Sequence, residues 1–194
     1  MIAYVKGDFT YKSPAVVHVD VNGLGYEVQI SLHTFSHIQP LERGQLYTYQ
    51  HIREDAHILY GFFEVAEKEM FVQLISISGV GAATARMMLS SMKYDEIGRA
   101  IVQGNARVLE SIKGIGRKSA ERIVLELKDK LSKQQTGSII SPALNNSLEQ
   151  DALNALVSLG IARPLAEGAI KKVLSKEPET NKVEDIIKKA LKTF

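Results

Sequence analysis

The chain has 194 residues, 45% of them apolar, and a formal net charge of +2 at pH 7, which predicts two or three small domains and by itself favours no class of partner. No apolar run approaches the roughly 20 residues that span a bilayer, and Lys6 and Asp8 interrupt any signal peptide, so we expect no membrane partner. The absence of cysteine excludes disulfides and thiolate catalysis and fits a cytoplasmic location.

Residues 1–63 are predicted to form a small closed barrel of the OB-fold type. Apolar residues alternate over residues 15–21 and 24–30, and Asn22-Gly23 between them is typical of a type I′ hairpin turn. Three further segments rich in β-branched and aromatic residues are residues 2–6, 45–52 and 57–63. Five short strands in so short a stretch favour closure of the sheet into a barrel.

All five histidines lie in this barrel region, and the spacing of His33 and His37 could place both on one turn of a helix as a metal pair. No carboxylate stands at a ligand spacing from them, no H-E-x-x-H motif occurs, and Pro40 ends any helix soon afterwards. We therefore expect surface histidines and no metal site.

Residues 64–133 change to a helical period, which predicts an all-α domain, and contain a repeat. Residues 77–85 (ISGVGAATA) recur 35 residues later as residues 112–120 (IKGIGRKSA). In each copy an apolar helical segment meets a Gly-apolar-Gly turn and a second helix starts at once, which predicts two helix-hairpin-helix motifs. Glycine permits positive φ and leaves N–H groups uncovered at the positive end of the next helix, which suits a phosphate oxygen. The predicted DNA-backbone contacts are Gly79, Val80, Gly81, Gly114, Ile115 and Gly116.

Cations crowd the second copy and not the first. Arg117 and Lys118 fall in the first turn of the new helix, where an anionic ligand offsets the unfavourable meeting of a cation with the positive helix end, and Arg122 follows on the same face. Residues 113–133 carry 7 basic and 3 acidic residues, whereas residues 1–63 carry 4 and 6. Each glycine could instead be the ordinary C′ residue of a packed helix, but the duplication and this charge favour binding to a nucleic-acid backbone.

Residues 134–147 contain no charged residue but several Ser, Gln, Asn, Gly and Pro, and are predicted to be a flexible linker. Residues 148–194 are predicted to form a three-helix, UBA-like domain, with Pro164 starting the second helix. These helices have more apolar positions than so small a core needs, which predicts a docking surface for a partner. The candidate contacts are Leu165, Ile170, Val173 and Leu174.

Motifs for catalysis are missing from the sequence. Residues 114–119 (GIGRKS) end in Lys-Ser like a P-loop, but they lack Gly before the Lys and follow a helix instead of a strand. The first copy has Thr84 where a dinucleotide-binding G-x-G-x-x-G motif needs its last Gly. Neither a Ser-His-Asp set nor paired acids lie near the hairpins. We expect no catalytic residue and no cofactor.

The chain resembles the bacterial RuvA family over its whole length. The likeness is carried by an N-terminal Met-Ile before the barrel, by residues 51–56 (HIREDA) leading to residues 59–62 (LYGF), and by the two hairpins, of which the second continues as residues 114–122 (GIGRKSAER). Arg-Glu-Asp-Ala ahead of the doubled motif is the specific part of this pattern. One departure is Ala82-Ala83, since a lysine often follows the first hairpin in the family. The first hairpin is therefore expected to bind DNA mainly through backbone N–H groups.

The resemblance implies a Holliday junction DNA-binding subunit without catalysis of its own, acting in homologous recombination and DNA repair. It implies a homotetramer, sometimes two face to face as an octamer, that holds the four-way junction DNA open and square-planar. The C-terminal domain would recruit the hexameric ATPase RuvB, which drives branch migration, and the resolvase RuvC would cut the junction. Glu54 and Asp55, which by residue type alone are turn formers, would be an acidic pin where the strands cross.

Two other interpretations stay open on the residues alone. A helix-hairpin-helix DNA repair enzyme would need a catalytic Asp or Lys in a pocket that holds a base. An OB-fold single-strand DNA-binding protein would stack bases on aromatic side chains along the barrel. Tyr47, Tyr49 and Tyr60 could form such a platform, although a place in the core is favoured for them. Binding to single strands, duplex and a four-way junction distinguishes the three functions.

Overall fold

The computed structural model describes residues 1–138, 148–176 and 182–193, which fall into two compact units, Met1–Ile139 and Ile140–Phe194. The first unit holds a β-barrel followed by a helical region, and the second holds three helices. Within the described residues, helices that are long and apolar enough to cross a membrane are absent.

Five strands close the barrel predicted for the N-terminal region. They are β1 Tyr4–Lys12, β2 Val16–Val21, β3 Leu24–Ile30, β4 Arg43–Ile52 and β5 His57–Phe62. Their order around the barrel is β1-β2-β3-β5-β4, with β4 pairing back onto β1. The β3–β5 pair is parallel and the other pairs are antiparallel. The predicted OB-type barrel is confirmed.

The turn between β2 and β3 shows how local sequence sets the strand register. Asn22 and Gly23 take φ of 54° and 90°, the two positive values that a type I′ turn requires. Val21 pairs with Leu24 across the turn, and the N–H of Gly23 donates to the Asp20 carboxylate at 2.8 Å. The predicted hairpin is confirmed, with its inward side chains in register.

A short helix, α1 Leu32–Ile38, connects β3 to β4 and was not predicted from the sequence. It is capped by Ser31, whose side-chain oxygen accepts from the N–H of Thr34 at 3.0 Å. Thr34 and Ile38 are buried against the barrel, so His33 and His37 share another side of the helix. Seven residues show too few periods for the sequence pattern to reveal the helix.

The helical region contains the two predicted helix-hairpin-helix motifs, which are confirmed. Its helices are α2 Val65–Ile75, α3 Ala82–Ser91, α4 Tyr94–Val102, α5 Ala106–Glu110 and α6 Arg117–Ser138. The first motif is α2–α3 and the second is α5–α6, with α4 between them. Helix α6 continues to Ser138, past the predicted domain boundary at residue 133, and the rest of the predicted linker, residues 139–147, lies outside the described residues.

The barrel encloses one hydrophobic core, and a second core joins strand β5 to the helices. The ring of Phe71 in α2 has its centroid 4.9 Å from that of Phe62, 5.1 Å from that of Tyr60 and 5.5 Å from that of Tyr49. Tyr60 is buried and Tyr49 packs against the same core. Because Tyr60 is buried in this core, as favoured from the sequence, it cannot stack a base in a single-strand platform.

The second unit packs α7 Leu148–Ser158, α8 Arg163–Lys176 and α9 Val183–Leu191 around one small core. Two of the predicted docking residues, Ile170 and Val173, lie in this core and are only 1% and 6% exposed. The prediction is therefore wrong for these two residues, because the apolar stripe of α8 is needed to hold the three helices together. Leu174 is half-buried, whereas Leu165 is 61% exposed and accessible to a partner.

Candidate nucleic-acid interface

The two Gly-apolar-Gly turns share one backbone geometry. Their first glycines, Gly79 and Gly114, take φ of 92° and 89°, a conformation that costs any other L-residue free energy. The N–H of the apolar residue donates to the carbonyl three residues earlier at 3.0 Å in both turns, and its side chain is buried. These apolar residues are Val80 and Ile115.

The second glycine of each turn opens directly into a helix. The carbonyl of Gly81 accepts the N–H of Ala85 at 2.9 Å, and that of Gly116 accepts the N–H of Ala120 at 3.0 Å, so the N–H groups in between lack partners within the helix. A Cβ added at Gly81 or Gly116 would meet no atom of the protein within 4 Å. The fold itself therefore does not require glycine here, whereas close approach of a phosphate oxygen to the positive helix end would.

Three exposed cations follow the second turn on α6. The Arg117 Nε lies 2.8 Å from a Glu121 oxygen, and the Arg122 Nε lies 2.9 Å from a Glu126 oxygen. The hydrogen bond and charge of Glu121 raise the pKa of Arg117, which stays cationic. Solvent screens exposed pairs of this kind and leaves them weak, so a phosphate can replace the glutamate as the partner of either arginine.

Lys118 differs from these two arginines. It is exposed and, within the ranges that the structure describes, forms no ion pair. The two arginine–glutamate pairs were not predicted, although their i,i+4 spacing in the sequence indicates them. Of the three cations that follow this turn on α6, Lys118 is therefore the one that is immediately available to an anion.

The first hairpin lacks such cations. The 35-residue offset places Ala82 and Ala83 where the second copy has its first arginine and its lysine. The single cation of α3, Arg86, is turned toward the barrel, where its Nη1 donates to the Ala15 carbonyl at 2.9 Å and to the Gln29 side-chain oxygen at 2.7 Å. An anion at this hairpin would therefore meet mainly backbone N–H groups.

The turn between β4 and β5 presents two uncompensated negative charges. It is closed by the Arg53 N–H, which donates to the Ala56 carbonyl at 2.8 Å, and Glu54 and Asp55 lie exposed at its tip. The Arg53 guanidinium turns back and donates to His51 Nε2 at 2.9 Å. Among residues 1–138, 148–176 and 182–193, no cation pairs with either carboxylate.

A cleft of about 410 Å³ lies beside the second hairpin, between the starts of α5 and α6. Its charged lining residues are Arg107, Glu110, Arg117 and Glu121. Neither Asp nor Lys lines this cleft. A repair enzyme of the helix-hairpin-helix class needs one of these residues facing the base, so the cleft does not favour that alternative.

The chain is similar to known proteins over each of its regions. Residues 1–61 match the RuvA N terminal domain, residues 71–129 match a SAM-like helix-hairpin-helix tandem, and residues 147–193 match the RuvA C-terminal domain. The protein of Cytophaga hutchinsonii named Holliday junction branch migration complex subunit RuvA is 45% identical over 197 residues, covering 99% of each chain. Proteins of the same name from Flavobacterium psychrophilum and Bacteroides fragilis are 44% and 43% identical, over 100% and 99% of each chain. The chain therefore belongs to the RuvA family.

Proposed function

We propose that this chain is the DNA-binding subunit of a Holliday junction branch migration complex, which holds the four-way junction open and recruits the ATPase that drives migration. The observation that carries this proposal is the pair of hairpins with equal backbone geometry, each with uncovered N–H groups at a helix start. The relatives of this chain are named as subunits of such a complex. The chain itself is a non-catalytic subunit in this proposal, with RuvB as the ATPase, RuvC as the resolvase, and the cytoplasm as the location.

Binding should follow the shape of the DNA and ignore its sequence. Backbone N–H groups and Lys118 contact phosphates, which carry no sequence information, and their neutralisation releases counterions. The test is fluorescence anisotropy with a four-way junction, a duplex and a single strand of matched sequence at one salt concentration. We expect the junction to bind most tightly, and two junctions with unrelated arms to bind alike. Tightest binding to single strands, or strong dependence on arm sequence, would overturn the proposal.

We propose that Glu54 and Asp55 form an acidic pin that disfavours continuous duplex. Two free carboxylates at a strand turn repel phosphates, and each approach at 4 Å costs ~1 kcal/mol in water. An open junction with a gap at its centre avoids this repulsion, so the pin acts on specificity.

The double variant Glu54→Gln with Asp55→Asn should bind duplex several-fold more tightly and prefer junctions less. Glu42→Gln changes another exposed acid of the barrel region and is the matched control. Unchanged affinity for duplex and an unchanged junction-to-duplex ratio would leave both residues as ordinary turn formers.

We propose a homotetramer as the binding unit, with two tetramers face to face as an octamer on DNA. Four arms call for four copies of a chain that carries one pair of hairpins. The barrel offers exposed apolar side chains for contacts between copies, including Tyr4, Leu24 and Ile52. Light scattering with and without junction DNA measures the assembly, and a monomer bound to a junction would contradict it.

We propose that the second unit docks the ATPase through the exposed surface around Leu165 and Leu159. Leu165→Glu should abolish stimulation of the partner ATPase and leave junction binding unchanged. Leu125→Glu on α6, also at an exposed leucine, is the control for a general effect of the charge. Full stimulation by the Leu165 variant would exclude this surface.

A further inference from the structure

Two histidines and one carboxylate meet between α1 and the start of α2. His33 and His37 lie on successive turns of α1, and Glu64 immediately precedes α2. One possible ligand atom from each residue lies within 4.8 Å of the other two. The His33 side chain is only 13% exposed, so the expectation of surface histidines is wrong at this residue. The spacing could not reveal the cluster because Glu64 follows 27 residues after His37.

The neighbours of each donor leave a lone pair free. His37 Nδ1 lies 2.8 Å from the His33 carbonyl, so this nitrogen carries the proton and Nε2 keeps its lone pair. His33 Nε2 is buried without a hydrogen-bond partner in the described structure, at 3.7 Å from a Glu64 oxygen. Glu64 occupies the N-cap position of α2, but its side chain makes no capping bond.

Packing holds the two imidazoles close to their present positions. The ring centroids of His33 and His37 are 4.5 Å apart in an edge-to-face arrangement, and the His37 ring stacks on Phe63 at 4.9 Å. The cluster opens into a cleft of about 320 Å³ that is also lined by Lys93, Tyr94 and Asp95. With Glu64, the cleft therefore has two carboxylates against one ammonium, a balance that favours a cation.

We propose that His33, His37 and Glu64 bind one zinc ion, with the fourth coordination position open to the cleft. Two imidazoles and a carboxylate are a donor set that zinc takes, whereas magnesium and calcium take oxygen donors. Tetrahedral zinc with bonds of about 2.0–2.1 Å sets its donors about 3.3 Å apart. The distance between any two donor atoms must therefore shorten by about 1.5 Å at most. The Glu64 side chain is 39% exposed and has room for this movement.

The ion would join the barrel to the first helix-hairpin-helix motif. These two parts already meet nearby, where the hydroxyls of Ser31 and Thr34 donate to the buried carboxylate of Glu67 in α2. Zinc would stabilise this joint against unfolding, and it takes no part in the contacts proposed for DNA. The zinc proposal can therefore be tested independently of the proposed function.

The test uses the full chain without a histidine tag, stripped with a chelator and then equilibrated with zinc or cobalt(II). We expect one zinc per chain, a visible spectrum of four-coordinate cobalt, and a rise of about 5 °C in Tm at a hundredfold excess over Kd. His37→Asn and Glu64→Gln should each weaken zinc binding at least tenfold. His57→Asn changes an exposed histidine outside the cluster and should bind zinc as the wild type does.

The absence of zinc at micromolar free concentrations would overturn the proposal. Binding that survives both cluster variants, or that His57→Asn weakens equally, would also overturn it. Glu64→Gln removes no capping bond and should leave the fold intact. It therefore tests zinc binding by the cluster even if His37→Asn impairs folding. Unfolding of the metal-free variants by urea provides the control for their stability.

Discussion

The two helix-hairpin-helix copies share a backbone and differ in their surroundings. The first is attached to the barrel, through Arg86 of α3 and Glu67 of α2, whereas the second presents Arg117 and Lys118 to solvent. Both keep the glycine at positive φ and the buried apolar residue that the turn requires. The two copies therefore share the turn and an exposed helix start, whereas Arg117 and Lys118 give the second copy a positive charge at positions where the first has Ala82 and Ala83.

The attachment of the first copy should give the largest effect on stability. Glu67 accepts a hydrogen bond from Thr34 at 2.7 Å and one from Ser31, whereas the position 35 residues later is the apolar Val102, at the end of α4 and ahead of the second motif. Glu67→Ala should lower the free energy of unfolding by about 2–3 kcal/mol, because two buried hydroxyls lose their acceptor. Val102→Ala should cost less. Urea denaturation measures both, and equal losses would remove this difference between the copies.

The same carboxyl should make stability depend on pH. Burial raises the pKa of Glu67 above its ordinary value of 4.5, although hydrogen bonds from Ser31 and Thr34 oppose the change. Between pH 4.5 and the raised pKa the folded chain holds a proton that the unfolded chain releases. The free energy of unfolding therefore falls as pH rises through this window. Glu67→Gln should remove this contribution to the slope of the unfolding free energy against pH. Urea titrations at a series of pH values measure the slope, and equal slopes for the variant and the wild type would contradict the prediction.

Adding a methyl group at the open glycines tests whether both turns touch DNA. Gly81→Ala and Gly116→Ala should each weaken junction binding about tenfold, or roughly 1.4 kcal/mol, because the Cβ meets no protein atom but would block a phosphate. The free energy of unfolding should stay unchanged. Gly168→Ala in α8 is equally open and is the control for junction affinity. Loss at only one turn would show that the copies are not equivalent on DNA.

Moving the lysine between the copies sharpens the comparison of charge. Lys118→Ala should weaken binding several-fold and make the slope of log affinity against log salt shallower by about one. Ala83→Lys, at the corresponding exposed position of the first copy, should do the reverse. Anisotropy titrations at four salt concentrations measure both slopes. If Ala83→Lys leaves affinity and slope unchanged, the first hairpin does not lie near phosphate.

The smallest effect should come from the ion pairs of the second copy. Glu121→Gln releases Arg117 from its 2.8 Å contact and should tighten junction binding about twofold, since solvent screens an exposed pair of this kind and leaves it weak. Asp95→Asn releases Arg99 from a similar i,i+4 pair in α4 and is the matched control. Tightening by the control alone would place the DNA contact away from the second hairpin.

Features of local backbone chemistry could be predicted from the sequence alone. Asn22-Gly23 specified a turn with two positive φ values, and the Gly-apolar-Gly repeat at an offset of 35 residues located both hairpins. Both signals depend on which backbone conformations these residue types can adopt. The apolar stripe of α6 likewise predicted its buried face. These requirements hold wherever the segment lies in the fold, so no tertiary information was needed.

Only the tertiary structure decided which side chains meet across long sequence separations. It placed Glu64 against the two histidines of α1, turned Arg86 into the barrel, and enclosed Tyr60 under Phe71. It also assigned Ile170 and Val173 to a core instead of a docking surface. Apolar periodicity shows which face of a helix is buried but not what covers it, because the same burial free energy is gained against the chain's own helices or against a partner.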